Sequence, residues 1–131
     1  MAAELELSKL IDSMSPTLMP EVYVFATVDI NHDCNGIRFR MQFFEEEGIT
    51  FILKRQEAET AGLAYEFPCR MITLNIHSAL DAVGFIAKIA TKLAGLGMGV
   101  NPVAGFYHDH LFVPEDRAED AMKALHAMTK N

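Results

Sequence analysis

The chain has few of the features that mark membrane, secreted or metal-binding proteins. It contains no tryptophan and only two cysteines, Cys34 and Cys69, without a CxxC spacing, so we expect reduced structural thiols. No apolar run reaches the roughly 18 residues that a membrane span needs. The acidic start, residues 1–6, lacks the basic segment of a signal peptide. These absences predict a cytoplasmic protein with no membrane partner.

Positive charge is also scarce and unevenly distributed. Lysine and arginine number 5 against 12 acidic residues in residues 1–66, and 6 against 6 in residues 67–131, so the net charge is -7. No basic stripe is present to neutralise phosphates, and nucleic-acid binding is therefore not expected. With 50% hydrophobic residues, a chain of 131 residues can bury the core of one domain or of two small ones.

The second half of the sequence predicts five successive elements. A strand over Arg70–His77 leads to a helix with Ser78 as its N-cap, which pairs with Asp81 in a capping-box-like arrangement. The helix carries an apolar stripe at three- and four-residue spacings, formed by Leu80, Val83, Ile86, Ile89, Ala90 and Leu93. After the stop at Gly95 and Gly97 come two strands and a helix, Gly99–Phe106, His110–Val113 and Glu115–Met128. This β-α-β-β-α order predicts an α+β, ferredoxin-like fold of antiparallel strands with helices on one face.

The first half repeats part of this pattern in a degenerate form. Thr50–Leu53 followed by Ala58–Ala61 corresponds, at a constant offset, to His110–Val113 followed by Ala118–Ala121. Both are strand-then-helix units. The sequence therefore predicts two tandem repeats, residues 1–66 and residues 67–131.

The remainder of the first repeat is predicted to be rich in strands. Val22–Val28 has the composition of a strand, and Ile37–Phe43 alternates as one. No helix follows the first of these strands, so we expect Leu5–Met14 to form the helix that covers this sheet. The first repeat would then lack a ligand-binding loop.

Two segments of the second repeat, Ile76–Gly84 and Val100–Pro114, resemble the ACT-domain family. The likeness is greatest to small tandem-ACT proteins of bacteria, and the second repeat is similar to that of the cytosolic arginine sensors. The resemblance extends over Ile72–Leu125. It implies a regulatory module that binds a small molecule, typically an amino acid, and that does not catalyse a reaction.

The resemblance also implies where a ligand would bind. The first turn of a helix presents unpaired N–H groups that suit a carboxylate, and a glycine allows close approach. By position, the carboxylate would bind near Val83–Phe85 and the ammonium near Asp81 or Asn101, with the ligand side chain on Val103, Ala104 and Phe85. The candidate ligand-binding residues are Ser78, Asp81, Val83, Gly84, Phe85, Asn101, Val103 and Ala104. The alternative is that Ser78 and Asp81 only cap the helix while Gly84 packs against a strand.

The segment Tyr107–His110 could suggest a metal or catalytic site. On an extended segment His108 and His110 point to the same side, but a metal site needs three or four ligands, and nothing in the spacing brings a third close. We expect instead a turn that uses Asp109 and a partly buried His110 that orders a hairpin. No Walker loop, GxSxG or HExxH motif is present, so neither an enzyme nor a bound metal or cofactor is expected.

Three hypotheses therefore follow, in decreasing order of support. The first is a non-catalytic, amino-acid-sensing tandem ACT protein. The second is a structural or interaction protein of the same fold that binds no small molecule. The third is a histidine-based metal or hydrolytic enzyme. We also expect a homodimer or larger oligomer, because apolar strands such as Ile72–Ile76 and Tyr23–Val28 in so short a chain suggest faces that need a partner.

Overall fold

The computed structural model describes residues 6–129. These residues form two compact units. The terminal unit joins the described residues up to Pro20 to those from Arg70 onward, and the central unit is Glu21–Cys69. Leu5, the first residue of a predicted helix, lies outside the described residues. Within residues 6–129, no helix combines the length and the apolar character needed to span a membrane.

Ten regular elements form the two units. The strands are β1 (Pro16–Val28), β2 (Met41–Phe44), β3 (Ile49–Lys54), β4 (Tyr65–Leu74), β5 (Asn101–Ala104) and β6 (Asp109–Pro114). The helices are α1 (Leu7–Ser13), α2 (Arg55–Thr60), α3 (Phe85–Ala94) and α4 (Ala118–Met128), and a 3₁₀ turn, Glu115–Arg117, precedes α4. The β3–α2 and β6–α4 pairs confirm the predicted strand–helix repetition. The mixture of helices and antiparallel strands confirms the predicted α+β class.

The central unit is built on three antiparallel strands in the order β2-β3-β1. Alternation along the strands turns one set of apolar side chains toward α2. The resulting core consists of Val24, Ala26, Val28, Ile49, Phe51, Leu53 and Ala58. On the opposite face, Tyr23 and Lys54 are direct cross-strand neighbours. At the edge of this unit the Tyr65 phenol donates a hydrogen bond to Glu59 at 3.0 Å, which raises the pKa of the phenol above its ordinary value.

The terminal unit contains the three strands predicted to share a sheet, in the order β4-β6-β5. Ile72 and Leu74 of β4 and Leu111 and Val113 of β6 alternate toward the helices. Helices α3 and α4 cover this face with apolar side chains. Of the stripe predicted for α3, Ile89 and Leu93 are buried, whereas Leu80 and Val83 precede the helix and are exposed. The buried residues of the two helices are Phe85, Ile89, Leu93, Ala118, Ala121, Ala124 and Leu125.

Helix α1 also packs in the terminal unit. Its residues Leu10 and Ile11, together with Met14, lie in one buried cluster with Ile89 and Leu93 of α3. The predicted helix is present, but its assignment to the sheet of the first repeat is wrong. The apolar side of α3 needs cover beyond that given by β4 and β6, and α1 supplies it.

Strand β2 is shorter than the alternation of Ile37–Phe43 predicts. Regular pairing with β3 is limited to Met41–Phe44. Just before the strand, the Arg40 N–H donates a further hydrogen bond to the Ile52 carbonyl at 2.7 Å. Just upstream the chain turns at Gly36, whose φ of 82° favours glycine. The segment between this turn and β2 is therefore irregular, and it carries two arginines along the end of β3.

Candidate functional site

The predicted site begins at the loop of residues 75–84, which joins β4 to α3. Asn75 anchors the start of this loop to the segment before β1. Its backbone N–H and its side-chain amide both donate to the Ser15 carbonyl, at 3.0 and 2.7 Å, and the amide also lies 2.6 Å from the Thr17 hydroxyl. Further along, the Ser78 N–H donates to the Ile76 carbonyl at 3.0 Å. The loop is thus held by local and non-local hydrogen bonds rather than by helix geometry.

The capping role predicted for Ser78 is wrong. Its hydroxyl donates a hydrogen bond to the Asp109 carboxylate at 2.9 Å, and each of the two residues is only 8% exposed. An unpaired buried charge is costly in free energy. A hydrogen bond to the buried Asp109 carboxylate therefore stabilises the fold more than a cap on an exposed helix end would. Ser78 therefore joins the loop to β6, and α3 begins only at Phe85.

Gly84 holds the position before the first residue of α3. It has a φ of 89°, in the left-handed region, and its carbonyl accepts the first helical hydrogen bond from Lys88 at 2.9 Å. A Cβ there would lie 3.6 Å from the Leu7 side chain, so space is available but the backbone conformation disfavours other residues. The N–H groups of the first helical turn lie beyond the reach of intrahelical acceptors. No side-chain cap from the described residues satisfies them.

The candidate residues around this helix start fall into two groups. Asp81 and Val83 are exposed, and Val83 reaches 83%. Phe85, in contrast, is 3% exposed and belongs to the core of the terminal unit, so its side chain is not available to a ligand. Leu80 is predicted to face inward but is 70% exposed, because it precedes the helix rather than forming its first turn.

The candidates on β5 do not all share a face. The register pairs Ala104 with Asp109, so Ala104 lies level with the Ser78–Asp109 bond. Asn101 pairs with Phe112 at the other end of the strand, roughly 10 Å away along the backbone. Strand alternation puts Asn101 and Val103 on the face opposite to Ala104. The structure therefore groups Ser78 with Ala104 and separates both from Asn101.

Two parts of the sequence match the same description, "ACT domain", at residues 2–70 and at residues 66–127. The first match alone spans more than half of the chain. The chain belongs to the ACT-domain family. The resemblance found in the second repeat thus extends to the first repeat as well.

Solved structures agree with the ACT assignment. A Vibrio cholerae protein, described as of unknown function and as a possible transport protein, is 42% identical over 95% of this chain and 96% of its own, with a TM-score of 0.85. An Agrobacterium tumefaciens protein is 16% identical, with 88% of each chain covered and a TM-score of 0.73. The regulatory subunit of aspartate kinase from Thermus flavus is 14% identical over 86% of this chain and 95% of its own, with a TM-score of 0.64, and shows the fold alone. Among curated proteins no relative matches the chain.

In this ACT protein the Tyr107–His110 segment forms the turn between β5 and β6 and the start of β6. The Nδ1 atom of His110 lies 3.0 Å from the Thr73 hydroxyl, and Asp109 accepts from Ser78, so both residues tie the hairpin to neighbouring elements. The rings of His108 and His110 are 6.4 Å apart. Over residues 6–129, no three His, Cys, Asp or Glu side chains come close enough to hold a metal ion.

One concave site in the ACT protein escapes prediction from the sequence. A cavity of about 320 Å³ in the central unit is lined by Tyr23, Arg38, Phe39, Arg40, Lys54 and Glu57. The signal available in the sequence was the concentration of Arg38 and Arg40 in an otherwise acidic half. Their approach to Lys54 depends on the pairing of β2 with β3, which no spacing along the chain reveals.

Proposed function

We propose that this ACT protein is a non-catalytic regulatory module that binds an amino acid at the start of α3. The observation that carries the proposal is the left-handed backbone conformation of Gly84, immediately before the first turn of α3. At this point the backbone N–H groups of the helix start lie next to an exposed loop. These N–H groups and the positive end of the helix dipole suit a carboxylate. The exposed Asp81 supplies a carboxylate of its own for the ligand's ammonium.

The candidate residues contribute unequally to this proposal. Val83, Gly84 and Phe85 would act through their backbone, and Ala104 would contact the ligand side chain. Ser78 would hold the loop in place through Asp109. Because Asn101 and Val103 lie on the other face of β5, we favour Asp81 over Asn101 as the partner of the ammonium.

The regulatory role is supported by the kind of protein that shares the fold. The Thermus flavus and Thermus thermophilus relatives are described as regulatory subunits of aspartate kinase, and the second is a ligand-free form. We extend only the general role to this chain, which would act in the cytoplasm and need no metal or cofactor. The alternative is an interaction protein of ACT fold that binds no small molecule.

Calorimetric titration with each of the twenty amino acids tests the ligand. We expect heat with at least one of them, on protein unfolded and refolded beforehand to remove bound ligand. Asp81→Ala should weaken this binding at least tenfold, because it removes a charged hydrogen-bond partner. Since Asp81 is exposed and lies outside α3, the substitution should change the free energy of unfolding by no more than about 0.5 kcal/mol.

Asp116→Ala is the matched control, because Asp116 is an exposed aspartate of the same unit in the 3₁₀ turn before α4. It should leave binding unchanged. If Asp81→Ala weakened the binding of none of the amino acids that give heat, the proposed site would be contradicted. No heat with any amino acid, together with no rise in melting temperature, would favour the interaction protein.

We also propose that the protein is a homodimer or a larger oligomer. In the central unit, β2 is an outer strand, and its residues Phe43 and Phe44 are 62% and 63% exposed. Aromatic side chains on an outer strand favour a partner that covers them. Light scattering at micromolar concentration should give at least twice the monomer mass of 14.6 kDa, and the monomer mass would contradict the proposal.

A further inference from the structure

The cavity of the central unit lies at the end of β3, beside the irregular segment that leads into β2. It has a volume of about 320 Å³, at the lower end of the range typical of small-molecule sites. One wall is Phe39, whose ring centroid is 5.3 Å from that of the fully buried Phe51. The wall is therefore fixed to the core of the unit. These features are separate from the start of α3, which belongs to the other unit.

Arg40 is held in a defined position within this cavity. Its Nε and Nη2 atoms donate to the Tyr23 hydroxyl at 3.2 and 2.8 Å, and its guanidinium carbon lies 5.6 Å from the centre of the Tyr23 ring. Tyr23 is only 1% exposed, so the phenol is a rigid support. A guanidinium positioned in advance loses little entropy when it binds a carboxylate.

Two more cations complete the positive lining. Arg38 precedes Arg40 by two residues, and Lys54 is the last residue of β3, opposite Tyr23. Outside the lining, Lys54 lies close to Glu21, with 4.0 Å between Nζ and Oε2, the limit of an ion pair. Residues 1–66 contain only five basic residues, and three of them line this one cavity. Such a concentration of like charge costs free energy unless an anion compensates it.

Among the described residues that line the cavity, Glu57 of α2 is the one carboxylate. Arg38 and Arg40 could each face a ligand carboxylate, Glu57 could face a ligand ammonium, and Lys54, already close to Glu21, adds further positive charge. We propose that this cavity is a second small-molecule site, which binds an acidic amino acid. The ligand carboxylates would contact Arg38, Arg40 and Lys54, and its ammonium would contact Glu57.

Titration calorimetry with L-glutamate, L-glutamine and glutarate tests the charge pattern. Glutamine lacks the second carboxylate and glutarate lacks the ammonium, while the carbon chain is the same. We expect glutamate to bind at least tenfold more tightly than either. L-Aspartate, shorter by one methylene, should bind as a second acidic ligand. Raising the salt concentration should weaken glutamate binding, because exposed charges are screened.

Two substitutions assign the contacts. Arg38→Ala should weaken glutamate binding about tenfold to a hundredfold, and Lys123→Ala, at an exposed lysine of α4, should leave it unchanged. Glu57→Gln should weaken the binding of glutamate, because the ligand ammonium loses its partner. It should strengthen the binding of glutarate, because glutarate has no ammonium and the Glu57 carboxylate repels it. A general loss of folding would weaken the binding of both ligands, so opposite effects on glutamate and glutarate exclude it as the cause.

Equal affinity for glutamate and glutamine would overturn the proposal, and so would equal effects of Arg38→Ala and Lys123→Ala. Absence of heat with glutamate and aspartate would overturn it as well. These outcomes do not test the site at the start of α3, which is tested separately. Asp81→Ala should not affect glutamate binding in the cavity, and Arg38→Ala should not affect a ligand bound beside Gly84.

Discussion

Replacing Phe85 by alanine is expected to lower the free energy of unfolding by about 3–5 kcal/mol. The Phe85 side chain is 3% exposed and lies in the core cluster with Ile89 and Leu111. Its loss would leave a cavity between α3 and the sheet of the terminal unit. Urea denaturation followed by circular dichroism measures the effect as a lower midpoint.

Val83→Ala provides the control for this prediction. Val83 precedes Phe85 by two residues and is 83% exposed, so its replacement should change the free energy of unfolding by no more than about 0.5 kcal/mol. The pair separates a structural role of Phe85 from a role in contacting ligand. Similar, small effects of both substitutions would show that the Phe85 side chain is not part of the core.

Gly48→Ala is expected to destabilise the central unit by about 1–3 kcal/mol. A Cβ at Gly48 would lie 2.5 Å from the Val28 carbonyl oxygen and 3.0 Å from the Thr27 hydroxyl. The carbonyl belongs to β1, whose backbone is held by pairing with β3, so it cannot move away freely. Thermal unfolding measured on the whole chain should show a lower melting temperature.

Gly99→Ala is the corresponding control. A Cβ at Gly99 would meet nothing within 4 Å, and its φ lies outside the left-handed region. The substitution should therefore be neutral or slightly stabilising, by up to about 1 kcal/mol, because it restricts the unfolded chain. If the two glycine variants melted at the same temperature, the contact at Gly48 would not limit packing.

The parts of the fold that the sequence predicts well are those with strong local patterns. The strand–helix units that start at Ile49 and Asp109 have alternating apolar strands followed directly by a helical stripe. The end of α3 is also predicted, since glycine follows Ala94 at once. In these segments the local preference and the tertiary structure agree, and no distant contact is needed to choose between alternatives.

The start of α3 shows why the remainder could not be predicted. Ser78 and Asp81 have the spacing of a cap, but the Ser78 hydroxyl binds Asp109, a residue 31 positions away. The local pattern cannot reveal that competing partner. The helix begins instead at a left-handed glycine, and Leu80 and Val83 remain exposed outside it. The separation of Asn101 from Ala104 likewise follows from the β5–β6 register rather than from spacing.

The boundary between the repeats, placed after residue 66, remains a prediction. The two ACT matches overlap at residues 66–70, whereas the compact units divide the chain near Pro20 and again near Arg70. Repeats and compact units are therefore different divisions of the same chain. Strand β4, Tyr65–Leu74, contains both the overlap of the two matches and the border of the compact units at Arg70.

The packing of α1 limits how the protein can be divided into fragments. A gene fragment encoding only residues 67–131 would lose Leu10, Ile11 and Met14, and would expose the sides of Ile89 and Leu93 that they cover. Such a fragment would be prone to aggregation, although it contains all but the first residue of the second family match. Side chains from the first family match are thus part of the hydrophobic core that covers a helix of the second. Transfer of the second match alone to another gene would leave part of this core uncovered.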